Sequence, residues 1–225
     1  TLTTELLEKW NCLLLSLKQS ALITVPRYYF SAFNGTASIT CTLVGFCDAS
    51  QRAYAAVVYL RMKAGDQCLT RLVASKTRVA PLITCTIPRL ELLSALVLGR
   101  LLSSITHALQ PELVLTPPVC YTDSRIALCW IKGFNKEWGQ FVQNRVGELR
   151  SLVPMDLWYH CPGDQNPADL PSRGVKNASP LVDCTLWLSG PTWIRNPNFE
   201  PLGADIGPIT EDCLIEIRKD PQSLL

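Results

Sequence analysis

The run Leu43 to Ser50, LVGFCDAS, is the stretch that most limits how this chain can fold. Leu43, Val44, Phe46 and Cys47 offer no polar side chain before Asp48, the pattern of a strand covered on both faces. Ala49 and Ser50 then begin a turn. An unpartnered charge at the tip of a buried strand is costly, so Asp48 is either a capping group or a reactive one. A second strand repeats the arrangement: after Thr116, Pro117 and Pro118, read as a loop, Val119 to Thr122 ends on Asp123. An Asp that merely starts a turn explains either strand alone. If the two strands are parallel neighbours, both acids share one edge, and the helix-length segment from Ile87 to Ala108 supplies the crossover that parallel strands need.

Composition narrows the class. With 225 residues, 48% of them hydrophobic and 18% charged, the chain can bury one sizeable core. A net charge of +2 announces no global attraction to nucleic acid, so a basic groove would have to be local. Of the ten cysteines, Cys41, Cys47, Cys120 and Cys129 sit in apolar runs and read as reduced core thiols. No Cys-x2-Cys pair occurs and there are two histidines, His107 and His160, which argues against a structural zinc site. No basic-then-apolar leader and no run of 18 apolar residues occurs, and the expectation is a soluble, intracellular chain with no membrane partner.

Leu6, Trp10, Leu13, Leu14 and Leu17 recur at helical spacing in residues 1–24, and the helix breaks at Val25-Pro26-Arg27. A turn at Asn34-Gly35 then leads to the strand of Asp48, so residues 1–38 read as a connector. Ala53 to Met62 and Cys68 to Ser75, joined by short turns, complete an antiparallel meander. Lys76 and Arg78 follow in a polar connection, open to two readings: solvated loop or phosphate contact.

From Pro88 a long helix is apolar on nearly every face, which makes Glu91, placed in its first turn, conspicuous. Arg89 projects to another side of the helix, so a simple salt bridge is not the obvious partner. Asp123 and Ser124 open a helix ended by Gly133, and Phe134 to Arg150 reads as another. Met155 to His160 reads as a strand, followed by a loop and a helix with Pro167 at its first position and Asp169 just inside. Residues 176–225, rich in Pro, Gly and Asn with Trp187 and Trp193 as anchors, read as an extended tail packing partly on something else.

This order, with its Asp, Glu, Asp, Asp set, resembles the type 1 ribonuclease H fold: a mixed five-stranded sheet, three antiparallel strands then parallel ones, flanked by helices. More narrowly, GFCDAS (45–50), SKTRVAP (75–81), IPRLELLSA (87–95), YTDSRIALCWI (121–131), FVQNRVGEL (141–149) and NPADLPSRG (166–174) resemble the ribonuclease H-like region of the Pol polyprotein of Pao/BEL-type LTR retrotransposons. The resemblance covers roughly residues 25 to 195. It implies a domain at 39–175 between a connector following a polymerase (1–38) and an extension towards integrase (176–225). It also implies hydrolysis of the RNA strand of an RNA/DNA hybrid with two Mg2+ ions, Mn2+ being an alternative, beside the reverse transcriptase and integrase regions of one polyprotein. The setting would be a cytoplasmic virus-like particle or the nucleus.

Carried over residue by residue, Asp48 and Asp123 are the central metal ligands and catalytic residues, Glu91 the ligand from the helix and Asp169 the peripheral one. Their oxygens are expected ~4 to 6 Å apart before metal binds. Ser50, Ser124 and Asn166 beside those acids are candidate contacts to a sugar-phosphate backbone, and Lys76, Arg78, Arg125 and Arg145 are candidate phosphate contacts. Type 1 enzymes usually carry a mobile histidine before the last acid. Here Asp164 stands in that loop, leaving His160 as the accessory candidate. Other readings are weaker. An aspartic peptidase needs Asp-Thr/Ser-Gly, whereas Asp123-Ser124 is followed by Arg125 and Asp48-Ala49 by Ser50. A DDE integrase places its Glu after the second Asp, whereas Glu91 precedes it. The rival from another class is a non-catalytic structural module of a reverse transcriptase, or a domesticated relic.

Overall fold

The structure is a computed structural model that describes residues 3–20, 24, 28–33, 38–83, 85–133, 137–175, 181, 183–201, 211–214 and 216. The expected break at 25–27 and the turn at Asn34-Gly35 lie outside the described residues. Helix α1 (Thr4–Ser20) leaves Leu6, Trp10, Leu13 and Leu17 about half exposed. Strands β1 (Thr40–Ala49), β2 (Ala53–Ala64) and β3 (Gln67–Val79) form the antiparallel meander. After helix α2 (Ile87–Leu109), strand β4 (Leu115–Thr122) lies parallel to β1, and the short β5 (Trp158–His160) lies parallel to β4. The sheet order β3-β2-β1-β4-β5 is that expected, with the strand of Asp48 in the middle.

Several boundaries move, each for a physical reason. Lys76 and Arg78 are not in a loop: they belong to β3, paired opposite Ala56 and Tyr54. An edge strand tolerates such a polar, charged run because one of its sides faces water. Pro117 and Pro118 lie inside β4, where the register with β1 slips between Thr42 and Val44. On the other side, β5 pairs only with Cys120 to Thr122, so the missing proline N–H groups cost no ladder bond there. Met155–Leu157 form a 3-10 turn rather than strand. Helix α3 (Arg125–Lys132) is capped by Ser124 and closed by Gly133 as expected, whereas helix α4 (Gln140–Leu152) starts later than Phe134. Helix α5 (Asp169–Arg173) begins two residues after Pro167.

Both sheet faces are covered, as the apolar run in β1 requires. On one face Leu43, Cys47, Val58 and Leu60 pack against Leu92, Ala95 and Leu98 of α2, with Trp130, Val142 and Leu149 behind. The approach is close: a Cβ on Gly45 would stand 2.5 Å from Leu98 Cδ1. By length and composition alone α2 would pass for a membrane span, but here it packs as the core helix of the sheet. On the other face Val44, Phe46, Tyr59 and Tyr121 meet Trp187, Trp193, Ile194 and Phe199.

Those last residues belong to the segment expected to pack elsewhere. Helix α6 (Thr185–Ser189) and the 3-10 turn Thr192–Arg195 close over the chain's own sheet. Tyr59 Oη lies 3.0 Å from the Leu186 carbonyl and 2.9 Å from that of Trp187. The buried Arg61 donates to the carbonyls of Ile194 (2.9 Å) and Asn196 (2.7 Å). Arg61→Ala should therefore destabilise the chain by roughly 2–3 kcal/mol, because charge-assisted bonds are lost and the carbonyl of the buried Ile194 is left without its donor. Thermal unfolding, together with faster proteolysis between residues 185 and 200, checks this. Protection equal to wild type would mean that the segment is held by its aromatic residues alone.

Candidate active site

Four acidic residues reach the carboxyl edge of β1 and β4 from four elements. Asp48 is the penultimate residue of β1 and only 5% exposed. Asp123 follows β4 directly. Glu91 is the fifth residue of α2, in its second turn rather than its first, so the dipole of the helix end is a weaker partner than the sequence suggested. Arg89 does not meet it: that guanidinium pairs with Glu216 at 2.6 Å. Asp169 opens α5 and pairs with Arg173 one turn on.

Their charges are felt mutually. Burial, opposed by a hydrogen bond from Ser172 and reinforced by Asp123 and Asp169, pushes the Asp48 carboxyl up to about 6. Burial, then Asp123 and Asp48, pushes Glu91 up to about 8. Burial also raises Asp123, against a hydrogen bond from Asn166. Among the described residues, Glu91 Oε2 and Asp123 Oδ1 are buried with no hydrogen-bond partner. Asp48, Glu91 and Asp123 are thus one electrostatic cluster, to which Asp169 couples through Asp48 and Asp123. The cluster is not clenched, however. Among the described residues, no three His, Cys, Asp or Glu side chains are already gathered tightly enough to hold a metal ion.

The neighbouring polar residues are mostly occupied. Ser124 Oγ accepts from the Ala127 amide at 3.1 Å, capping α3. Ser50 Oγ accepts from the Arg52 and Ala53 amides and lies 2.7 Å from the Ser172 carbonyl, to which it donates. Asn166 is 1% exposed: its amide donates to the Cys47 carbonyl (3.0 Å) and its carbonyl accepts from the Ala168 amide (3.1 Å). That burial keeps it from reaching a sugar-phosphate backbone and makes it a brace between the ends of β1, β4 and α5. His160 Nε2 lies 3.2 Å from the Asp123 carbonyl oxygen. Burial and the nearby Arg125 lower its pKa, while Asp123 opposes them.

The basic candidates divide. Lys76 and Arg78 are exposed and share a groove of about 270 Å3 with Tyr54, Arg100 and the α2 residues Leu93, Leu96, Val97, Leu101 and Ser104. The register places Thr77 across from Ala55 and Ala55 across from Asp48, so this groove lies two strands from the acid, about 10 Å at ordinary strand spacing. Arg125 is exposed at the start of α3. Arg145 instead stacks on the Phe141 ring, 3.6 Å from its centroid, and donates to the Phe141 carbonyl. Sequence reasoning missed Ser172, which donates to Asp48, and Arg173, the partner of Asp169. Both lie in the motif NPADLPSRG, three and four residues after Asp169, where one helical turn brings them back to the acids.

The family described as the Pao retrotransposon-like RNaseH-like domain matches residues 1–124, a span holding β1 to β4 and three of the four acids. The chain belongs to this family. Its fold is ribonuclease H-like, as the strand order and directions require. Among solved structures, an RNase H1 from the halophilic archaeon Halobacterium salinarum NRC-1 is similar over 56% of this chain and 87% of its own, at 13% identity and a TM-score of 0.36. No curated protein matches.

Proposed function

We propose that this chain is a divalent-metal-dependent endonuclease that hydrolyses the RNA strand of RNA/DNA hybrids during reverse transcription of an LTR retrotransposon. The observation that carries this reading is the acidic cluster itself. Asp123 raises both Asp48 and Glu91, Asp48 raises Glu91, and Asp169 raises Asp48 and Asp123, while among the described residues two buried oxygens, Glu91 Oε2 and Asp123 Oδ1, have no hydrogen-bond partner. A fold would not retain mutually repelling buried acids for stability, and hard oxygen donors are what Mg2+ or Mn2+ takes. Asp48, Glu91, Asp123 and Asp169 would hold such ions. Bound there, two ions would activate a water and stabilise charge on the leaving 3′-oxygen.

The chain's own residues supply position. Asn166 and Ser172 hold the two central carboxylates, and His160, whose Nε2–H donates to the Asp123 carbonyl, holds the backbone at that acid. Lys76 and Arg78, with Arg125, would take phosphates of the duplex, while Ser50 and Ser124, next in sequence to the acids, would be the groups to meet 2′-hydroxyls. Partners follow from this reading: a hybrid substrate, the reverse transcriptase and integrase regions of the same polyprotein, and an intracellular particle or nucleus.

Incubating the chain with a labelled hybrid, in Mg2+ and in EDTA, tests the proposal. Metal-dependent cleavage confined to the RNA strand is expected. Binding without cleavage would assign the chain to a non-catalytic structural module, and equal cutting of duplex DNA would overturn the substrate. Arg78→Ala should weaken hybrid binding and reduce the slope of log K against log[salt] by about one, while cleavage at saturating hybrid persists. Titrating binding across salt concentrations reads that slope.

A further inference from the structure

We infer that Ser172 is a positioning residue that sets the orientation of the Asp48 carboxylate for cation binding. Asp48 Oδ2 accepts a hydrogen bond from Ser172 Oγ, and both side chains are almost wholly buried, at 5% and 1% exposure. A serine hydroxyl has one proton to give. Its other neighbour, the Asp169 carbonyl, stands at 3.1 Å, so the proton belongs to the nearer, charged acceptor. One oxygen of Asp48 is thereby claimed by Ser172, and with the Ala49 amide as a further donor the carboxylate is held in one orientation.

The hydroxyl is itself held. Ser50 Oγ donates to the Ser172 carbonyl at 2.7 Å, and the Ser172 amide donates to the Ala168 carbonyl at 3.2 Å. The turn after β1 therefore grips α5, and α5 returns a donor to the last acid of β1. The same five-residue helix carries Asp169 at its start. Ser172 thus ties the central acid to the element bearing the peripheral one. Partners of this kind, which hold a ligand rather than the metal, typically account for ten- to hundredfold of metal affinity.

This inference rests on the proposal that the acids hold a divalent cation, and its test separates the two. Mn2+ binding to the 225-residue chain is followed by loss of the free-ion EPR signal, without nucleic acid, beside melting curves in EDTA. Ser172→Ala, which leaves the buried Asp48 Oδ2 without its donor, is expected to melt below wild type but still cooperatively, and to bind Mn2+ roughly ten- to hundredfold more weakly. Its kcat on hybrid should fall while KM is unchanged. Should Ser172→Ala fail to fold, Ser172→Thr and Ser172→Val, equal in shape and different in the hydroxyl, replace it: threonine should bind Mn2+ more tightly than valine. Wild-type binding with Ser172→Ala or Ser172→Val unchanged from it overturns the inference alone. A wild-type chain that binds no Mn2+ overturns both it and the metal-dependent function.

Discussion

Asp123→Asn is expected to lower Mg2+-dependent cleavage of the RNA strand by at least about a thousandfold, on the order of 4 kcal/mol of transition-state stabilisation. Asp123 is the common member of the cluster: it raises both Asp48 and Glu91, and it couples to Asp169. Asparagine keeps the shape and the link to Asn166 but removes the charge that would hold a cation. Because the phosphate-binding candidates lie elsewhere, on β3 and at the start of α3, hybrid affinity should change little. A gel-shift titration beside single-turnover cleavage separates the two quantities. Full activity in Asp123→Asn would refute the assignment of the acids.

The second large effect is on stability, and its direction follows from proton binding. Asp48 and Glu91 are pushed up to about 6 and about 8, above the ordinary carboxylate range, so the metal-free folded state holds protons that the unfolded state has released. Their favourable contribution is complete below about pH 4. It fades as pH rises through 6 for Asp48 and through 8 for Glu91, where burial and the other acids oppose ionisation. In EDTA, Glu91→Gln should therefore be more stable than wild type at pH 8 to 9, on the order of a few kcal/mol, and the two should melt together near pH 4. Mg2+ should narrow the gap at high pH by stabilising wild type: about 2.7 kcal/mol at a hundred times its dissociation constant. A wild-type protein that is more stable than Glu91→Gln in EDTA at pH 9 would contradict the burial of an uncompensated carboxylate.

Much of this arrangement could be read from LVGFCDAS and VCYTD. An apolar run that stops on an acid specifies a buried strand and the place of its carboxylate together, and a crossover of helical length fixes the parallel pairing. What escaped was governed by tertiary context. Lys76 and Arg78 read as loop because exposed edge strands lack the alternation that marks half-buried ones. Pro117 and Pro118 read as loop because nothing local reveals that β5 is too short to need their missing donors. Ser172 was invisible for a different reason: a serine three residues after an acid is an ordinary helix residue until β1 is known to pass beside it. The cover on the second sheet face did have a signal. A strand apolar on both sides demands something on each, and Trp187 and Trp193 were the unassigned aromatics available.

That cover decides where the chain can be divided. A fragment ending at residue 175 would contain all four acids and all five strands, and would look complete by its motifs. It would also lay bare Phe46, Tyr59 and Tyr121, whose rings now lie beneath Trp187, Trp193 and Ile194. It would leave the Arg61 guanidinium, now spent on carbonyls of the missing segment, in the same strand. A contiguous aromatic face of that kind drives self-association in water. The smallest soluble, folding-competent piece should accordingly extend past Phe199, and a proteolytic cut that releases this unit intact must fall beyond that residue.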